Sequence, residues 1–222
     1  MASIITAAEA RRWIPGLTGT TEDTILEDLI DSADSALAEF CNYPSPRGED
    51  PPDSRGKTLL KAPYMFFMEG DSFNPLLLRL PVYPLQNDAP IVNMDSSREY
   101  GASTLMVYDT DYEMMRPDTG GQTAALLLKP LGSYGSWSTS FRAIKVQIKA
   151  GYDVAGISYD DLPKDIQVAC GLLVAHWYQL RHTSGLTNVS QAGGSAGLVS
   201  GAIPDNVKQL MEPYRLSGNW LG

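Results

Sequence analysis

The strongest constraint on this chain is a change of hydrophobic period along its length. Apolar residues recur at helical spacing from Ile25 to Phe40, at a spacing of two in the middle, and at helical spacing again from Ile166 to Leu180. Side chains at a period of two line one face of a strand, and those near 3.6 line one face of a helix. The order is therefore helix, strands, helix. In the first helical region Ile25, Leu26, Leu29, Ile30, Ala33, Leu37 and Phe40 make one stripe, with Glu27, Asp28, Asp31, Asp34 and Glu39 mostly off it. Glu22 and Asp23 suit the positive end of the helix dipole, which predicts a start near Thr20 or Thr21. Upstream, Thr6-Ala7-Ala8-Glu9 is a capping box opening a short helix that Pro15 and Gly16 stop near Trp13.

The segment from Asn42 to Pro63 is dense in Pro, Gly, Asp and Arg, and the loop it predicts extends to residue 75. Leu76, Leu78, Leu80 and Val82 then alternate with Leu77, Arg79, Pro81 and Tyr83, a strand whose prolines place it at an edge or end. Further strands are expected at Ile91 to Met94, Thr104 to Tyr108, Tyr112 to Met115 and Thr123 to Leu128. The clearest is Arg142 to Ala150, where Ile144, Val146 and Ile148 alternate with Lys145, Gln147 and Lys149. Pro163 opens the returning helix, whose stripe is Ile166, Ala169, Cys170, Leu173, Val174, Trp177 and Leu180. Thr183 to Pro204 is rich in Gly and Ser and reads as a flexible connector. Pro204-Asp205 opens a last short helix with Val207, Leu210 and Met211, which Pro213 stops.

This order predicts an α+β protein, a helical bundle formed by the N- and C-terminal helices with an inserted antiparallel β subdomain. Residues 1–41 supply the first bundle helices, 42–75 a Pro/Gly-rich loop, and 76–152 the β subdomain. Residues 160–222 supply the last helices, the connector and a tail. The expected core pairs Leu29 and Phe40 with Ile166, Leu173, Trp177 and Leu180, because each stripe otherwise lacks a partner.

The motifs that carry chemistry are absent. With 17 Lys and Arg against 26 Asp and Glu, the net charge is −9, which argues against nonspecific grip on nucleic acid. Cys41 and Cys170 match no metal-ligand spacing, and a reduced intracellular chain is expected. His176 and His182 are separated by roughly 240° around their helix and face no common site. Asp109, Asp111 and Glu113 resemble the opening of a calcium loop, but Met114 stands where such a loop needs glycine, so they read as turn residues. Gly193, Gly194, Gly197 and Gly201 lack the following lysine of a phosphate loop. The start is broken by Glu9, Arg11 and Arg12, and the helix from Ile166 to Leu180 is too short to span a bilayer. The reading is a soluble chain with no catalytic residues, no cofactor, no metal and no membrane partner.

Three stretches together resemble the head–tail connector (adaptor) proteins of tailed bacteriophages and gene transfer particles. The first runs from Ile4-Ile5-Thr6-Ala7-Ala8-Glu9-Ala10 through the acidic helix to Phe40. The second is Lys145 to Tyr152 with Leu162-Pro163-Lys164-Asp165-Ile166-Gln167-Val168-Ala169, similar to the family's strand, Ala-Gly-Tyr and helix entry. The third is Ala175-His176-Trp177-Tyr178-Gln179-Leu180-Arg181, and then Ile203-Pro204 to Pro213-Tyr214-Arg215, similar to its Ala-x-x-Tyr-x-x-Arg and terminal Pro-Tyr-Arg signatures. The family often carries Glu where Gln179 stands, and the loop from Asn42 to Asn74 is longer than its pattern.

The resemblance implies a structural virion protein: a ring, commonly of twelve copies, docked beneath the portal at the neck and assembled in the bacterial cytoplasm. It would extend the channel through which genomic DNA passes without specific binding, and carry the next tail or neck protein, such as a stopper. The alternatives are another neck component (a stopper or tail-completion protein) or a small hydrolase or metal-dependent enzyme. Tyr214, Arg215, Leu216, Trp220 and Leu221 are the expected portal contacts, since no helix or strand pattern hides the large apolar residues after Pro213. At least one of Arg181 and Arg215 is expected to pair with a carboxylate, with Asp28 and Asp31 as candidates, the alternative being that each caps a helix C-terminus or sits in water.

Overall fold

The capping box forms at the start of the chain. In the computed structural model the Glu9 amide donates to Thr6 Oγ1 at 3.2 Å while the Thr6 amide donates to Glu9 Oε2 at 2.8 Å, opening α1 (Ala7–Arg11). The structure describes residues 3–47, 56–82, 89–115, 127–154, 161–181, 188–191, 194–197 and 203–216. Arg11 then reaches forward to the Gly19 carbonyl and, at 3.0 Å, to Asp23, the first residue of α2 (Asp23–Phe40). The long helix thus starts at Asp23, where that guanidinium and the helix dipole both favour a carboxylate.

Helices α3 (Lys164–Leu180) and α4 (Asp205–Met211) each follow a proline, Pro163 and Pro204, at the capping position. Both α1 and α4 touch α2 and α3, which pack on each other. Leu26, Ile30, Ala33 and Leu37 of α2, Ile166, Leu173 and Val174 of α3, and Val207 and Met211 of α4 are fully buried. Leu29, Phe40 and Trp177 are half-buried and pack on this core from its rim, and Leu180 is likewise half-buried. Leu29 and Phe40 lie at one margin of the α2 stripe, and the last turn of α3 lies opposite the first turn of α2, where the helix pair ends. Trp13 lies across Gly171, where a Cβ would stand 2.4 Å from the indole nitrogen.

The largest departure from expectation lies in residues 42–75. The expected loop contains β1 (Ala62–Met68), which pairs antiparallel with β7 (Ile144–Ala150) from Ala62 opposite Ala150 to Met68 opposite Ile144. Ala-Pro-Tyr-Met-Phe-Phe-Met lacks the alternation that marks a half-buried strand, and Pro63 argued against a ladder. As an edge strand β1 accommodates it: the proline faces away from β7, and its carbonyl accepts from the Arg47 amide at 3.0 Å. The sheet order is β1-β7-β3-β4, with β3 at Ile91–Met94 and β4 at Leu105–Met106. A second antiparallel sheet orders β2 (Leu78–Arg79), β6 (Leu127–Pro130) and β5 (Tyr112–Met115) as β2-β6-β5. Of the expected strand from Leu76 to Val82 only Leu78–Arg79 pairs, before Pro81 interrupts the ladder. The expected connector also contains paired backbone, as β8 (Asn188–Gln191) and β9 (Gly194–Gly197) form an antiparallel hairpin.

The protein is therefore α+β with antiparallel sheets, and one continuous core joins Leu26 and Ile30 to Tyr64, Val146 and Tyr152. Just after β7 the chain passes close to the segment before β1 at Gly151, whose φ of +102° and 2.4 Å Cβ approach to the Leu60 carbonyl leave no room for a side chain. Trp137, also fully buried, ties two surface loops together: its amide donates to Pro75 O at 2.8 Å, and the Gly70 amide donates to Ser138 O at 2.7 Å.

Candidate interaction surfaces

The C-terminal segment does not hang free at its start. Asn42 takes a left-handed conformation, φ +60°, that turns the chain sharply after α2. The Cys41 carbonyl accepts from the Leu216 amide at 2.9 Å, and the Asn42 side-chain amide donates back to Leu216 O at 3.3 Å. Leu216 is only 1% exposed. This overturns the expectation that Leu216 anchors a partner: its side chain finishes the subunit's own core. Tyr214 is half-buried, donates to Asp165 Oδ2 at 3.3 Å and meets the Tyr152 ring edge-on. Arg215 is exposed, pairs with Glu212 at 3.0 Å and lies over the Phe40 ring. Trp220 and Leu221 lie outside the described residues.

Arg181 finds its carboxylate at Glu22, 2.5 Å away, rather than at Asp28 or Asp31. Its guanidinium covers the Tyr178 ring at 3.9 Å, and the Tyr178 hydroxyl donates to the same Glu22 carboxylate at 3.1 Å. Burial and the Glu22 hydrogen bond push the Tyr178 hydroxyl above the ordinary tyrosine range. The tyrosine and arginine of one signature motif thus lock the end of α3 to the start of α2. That is a role in folding.

Burial pushes the Cys41 thiol up to about 12 and raises Cys170 as well, so both are poor nucleophiles. Among the described residues no three His, Cys, Asp or Glu side chains are grouped to hold a metal. Asp111 instead accepts from the Val107 amide at 2.7 Å, and Glu113 pairs with Lys129 at 3.1 Å across β5 and β6. A cleft of about 330 Å³ lies between α2 and the 56–61 and 152–154 segments. Its Asp34 carboxylate accepts from the Thr58 hydroxyl and the Leu59 amide, which commits it to holding the chain.

Two outer surfaces carry exposed acidic or apolar side chains. On α2, Thr24, Glu27, Asp28 and Asp31 are exposed and share one helical face, with exposed Ile25 beside it. None of these three acids has an ion-pair partner among the described residues. On the four-stranded sheet, the even-numbered positions of β7 face the core, so Lys145, Gln147 and Lys149 face outward. Register places Phe67 and Met65 beside Lys145 and Gln147 on one side, and Asn93 and Ile91 beside the same two residues on the other, with Leu105 of β4 opposite Asn93. Asn93 itself is buried, its side-chain amide donating to the Gly101 carbonyl at 3.3 Å. Ile91, Leu105 and Val107 are 52%, 47% and 56% exposed. Arg142 and Tyr100 close one end, each within ring-contact distance of Phe67. The turn that presents Tyr100 is organised by Asp95, which accepts from the Ser97 side chain and from the amides of Ser97, Glu99 and Tyr100. Those hydrogen bonds hold its carboxyl at about 2.

This architecture occurs in a virus-like particle. A chain in the structure of the virion of a native gene transfer agent (GTA) particle superposes with a TM-score of 0.58 and 19% identity, covering 100% of this chain and 96% of that one. The two share a fold. No protein-family model matches the sequence, and no curated protein matches it. Among the described residues no helix is long and apolar enough to cross a membrane.

The sheet surface escaped the sequence reading for one reason. The Ile/Lys alternation from Ile144 to Ala150 announced a strand with one charged face, but Met65 and Phe67 lay in a segment read as loop. Two consecutive phenylalanines between methionines were the available signal, because such a run is enriched in strands.

Proposed function

We propose that this protein is a non-enzymatic structural virion protein, the subunit of a head–tail connector (adaptor) ring. In this reading copies assemble beneath the portal, extend the DNA channel and offer a platform to the next tail or neck protein. The single observation that supports it most is the end-to-end likeness to a chain of a gene transfer agent virion, joined to the signature motifs at Ala175 to Arg181 and Pro213 to Arg215. The helices α1 to α4 serve as the rigid bundle that fixes each subunit's rotation, which a closed ring of like contacts requires. The acidic balance, −9, suits a channel that DNA passes without being held. Leu216 pins the C-terminal segment to the end of α2, so that in this reading the portal contact falls to Arg215, Trp220 and Leu221.

The reading is tested by removing the gene from the particle's own genome. Expected are DNA-filled heads and separate tails, joined again when the protein is supplied in trans. Complete, infectious or transducing particles without it would refute the proposal. Removing residues 217–222 alone should leave a folded protein that no longer co-purifies with portal.

A further inference from the structure

Resting on that reading, we infer that the outer face of the four-stranded sheet in one copy docks on the acidic stripe of α2 in the next. The sheet face is apolar where a monomer's outer face is ordinarily polar. Met65 and Ile91 flank Gln147 between Lys145 and Lys149, Phe67 lies beside Lys145, and Leu105 and Val107 lie at the far edge; Ile91, Leu105 and Val107 are about half exposed. The charges on the two surfaces are opposite. The α2 stripe carries Glu27, Asp28 and Asp31 with no cation on the whole helix, whereas the sheet strand facing outward carries two lysines, with Arg142 at its end.

In a chain of net charge −9, copies repel one another. Contact between copies needs cations gathered where the neighbour's acids arrive, and this sheet gathers them. Ile25, exposed beside the acids, supplies an apolar counterpart to Ile91 and Leu105. The two surfaces are different patches of one molecule, so the contact is head-to-tail. It propagates from copy to copy and closes into a ring if the rotation allows. DNA fits the sheet face less well, because phosphates have no use for the apolar residues between and around the two lysines.

The test uses two full-length variants. Lys145→Glu with Lys149→Glu makes the sheet face acidic; Glu27→Lys with Asp28→Lys and Asp31→Lys makes the helix stripe basic. Each variant alone sets like charges against each other, but in a one-to-one mixture every contact again joins opposite charges. Sedimentation velocity should find each variant at least tenfold less prone to assemble than the wild type, and the mixture restored. Carbodiimide, which joins lysines to carboxylates in direct contact, should couple Lys145 or Lys149 to Glu27, Asp28 or Asp31 of another copy. The same cross-links should appear in intact particles.

Variants that assemble as the wild type does, or wild-type cross-links confined to other surfaces, would overturn this contact and leave the ring reading standing. A wild-type chain that stays monomeric, with no cross-link between copies alone or in particles, would remove the ring reading too. Duplex DNA binding lost in the lysine variant, with assembly unchanged, would assign the sheet face to DNA instead. Should a variant fail to fold by circular dichroism, the wild-type cross-link map decides the matter alone.

Discussion

Leu216 and Leu105 are the same residue in opposite circumstances. Leu216 lies in a seam where an irregular segment meets a helix end, and it is 1% exposed; Leu105 lies in a regular sheet and is 47% exposed. Around Leu216 the backbone groups are paired with Cys41 and Asn42, and the neighbouring Tyr214 and Arg215 have partners within the subunit. Around Leu105 the strands pair correctly, yet Ile91, Leu105 and Val107 on the outer face are about half exposed. Regular secondary structure therefore does not mark the finished part of this molecule. The seam is completed by the subunit itself, and the sheet face is where we infer that a second copy docks.

The comparison can be broken at the seam. Leu216→Ala removes a fully buried side chain and should cost about 3 kcal/mol, seen as a large fall in the thermal or urea midpoint. A midpoint unchanged by this substitution would mean that the segment is not part of the core. Arg181→Ala should cost about 1 kcal/mol, because the ion pair with Glu22 and the stacking on Tyr178 are only partly desolvated. Glu22→Ala should cost about as much, and the double variant less than the sum, in a double-mutant cycle.

On the other side of the comparison the expected stability effect nearly vanishes. Ile91→Ser with Leu105→Ser should leave the monomer's stability within about 0.5 kcal/mol while abolishing assembly measured by sedimentation. A strongly destabilised double variant would show that the face is structural after all. The smallest effect concerns acid. Asp95 has a folded-state carboxyl at about 2, below its unfolded value, so its contribution is complete above about pH 4 and fades as the pH falls towards 2. Asp95→Asn should flatten that part of the acid unfolding curve, and it should loosen Tyr100 over Phe67.

The helices were legible because each carries its own evidence: a capping box at Thr6 and Glu9, a stripe from Leu26 to Leu37, and prolines at 163 and 204. All are local, and local signals survive without knowledge of the fold. Strand β7 was legible for the same reason, through its Ile/Lys alternation. Strand β1 was not, since its identity rests on pairing with a strand some eighty residues away, and Pro63 is tolerated only because the strand lies at an edge. The surfaces divide in the same way. Arg181 could be expected to meet a carboxylate, but Glu22 rather than Asp28 or Asp31 became its partner because the last turn of α3 meets the first turn of α2. Leu216 looked exposed from the sequence because the groups that fix its backbone, Cys41 and Asn42, lie far back along the chain. No local pattern could announce that seam.

The central claim, that this chain is a connector between head and tail, is tested most directly by a cryo-electron map of the particle's neck. The account predicts a closed ring of this fold between portal and the next tail component, with the outer sheet face of each copy seated on α2 of its neighbour. A neck in which the density beneath the portal belongs to another protein, and this chain is found elsewhere or not in the particle at all, would contradict it.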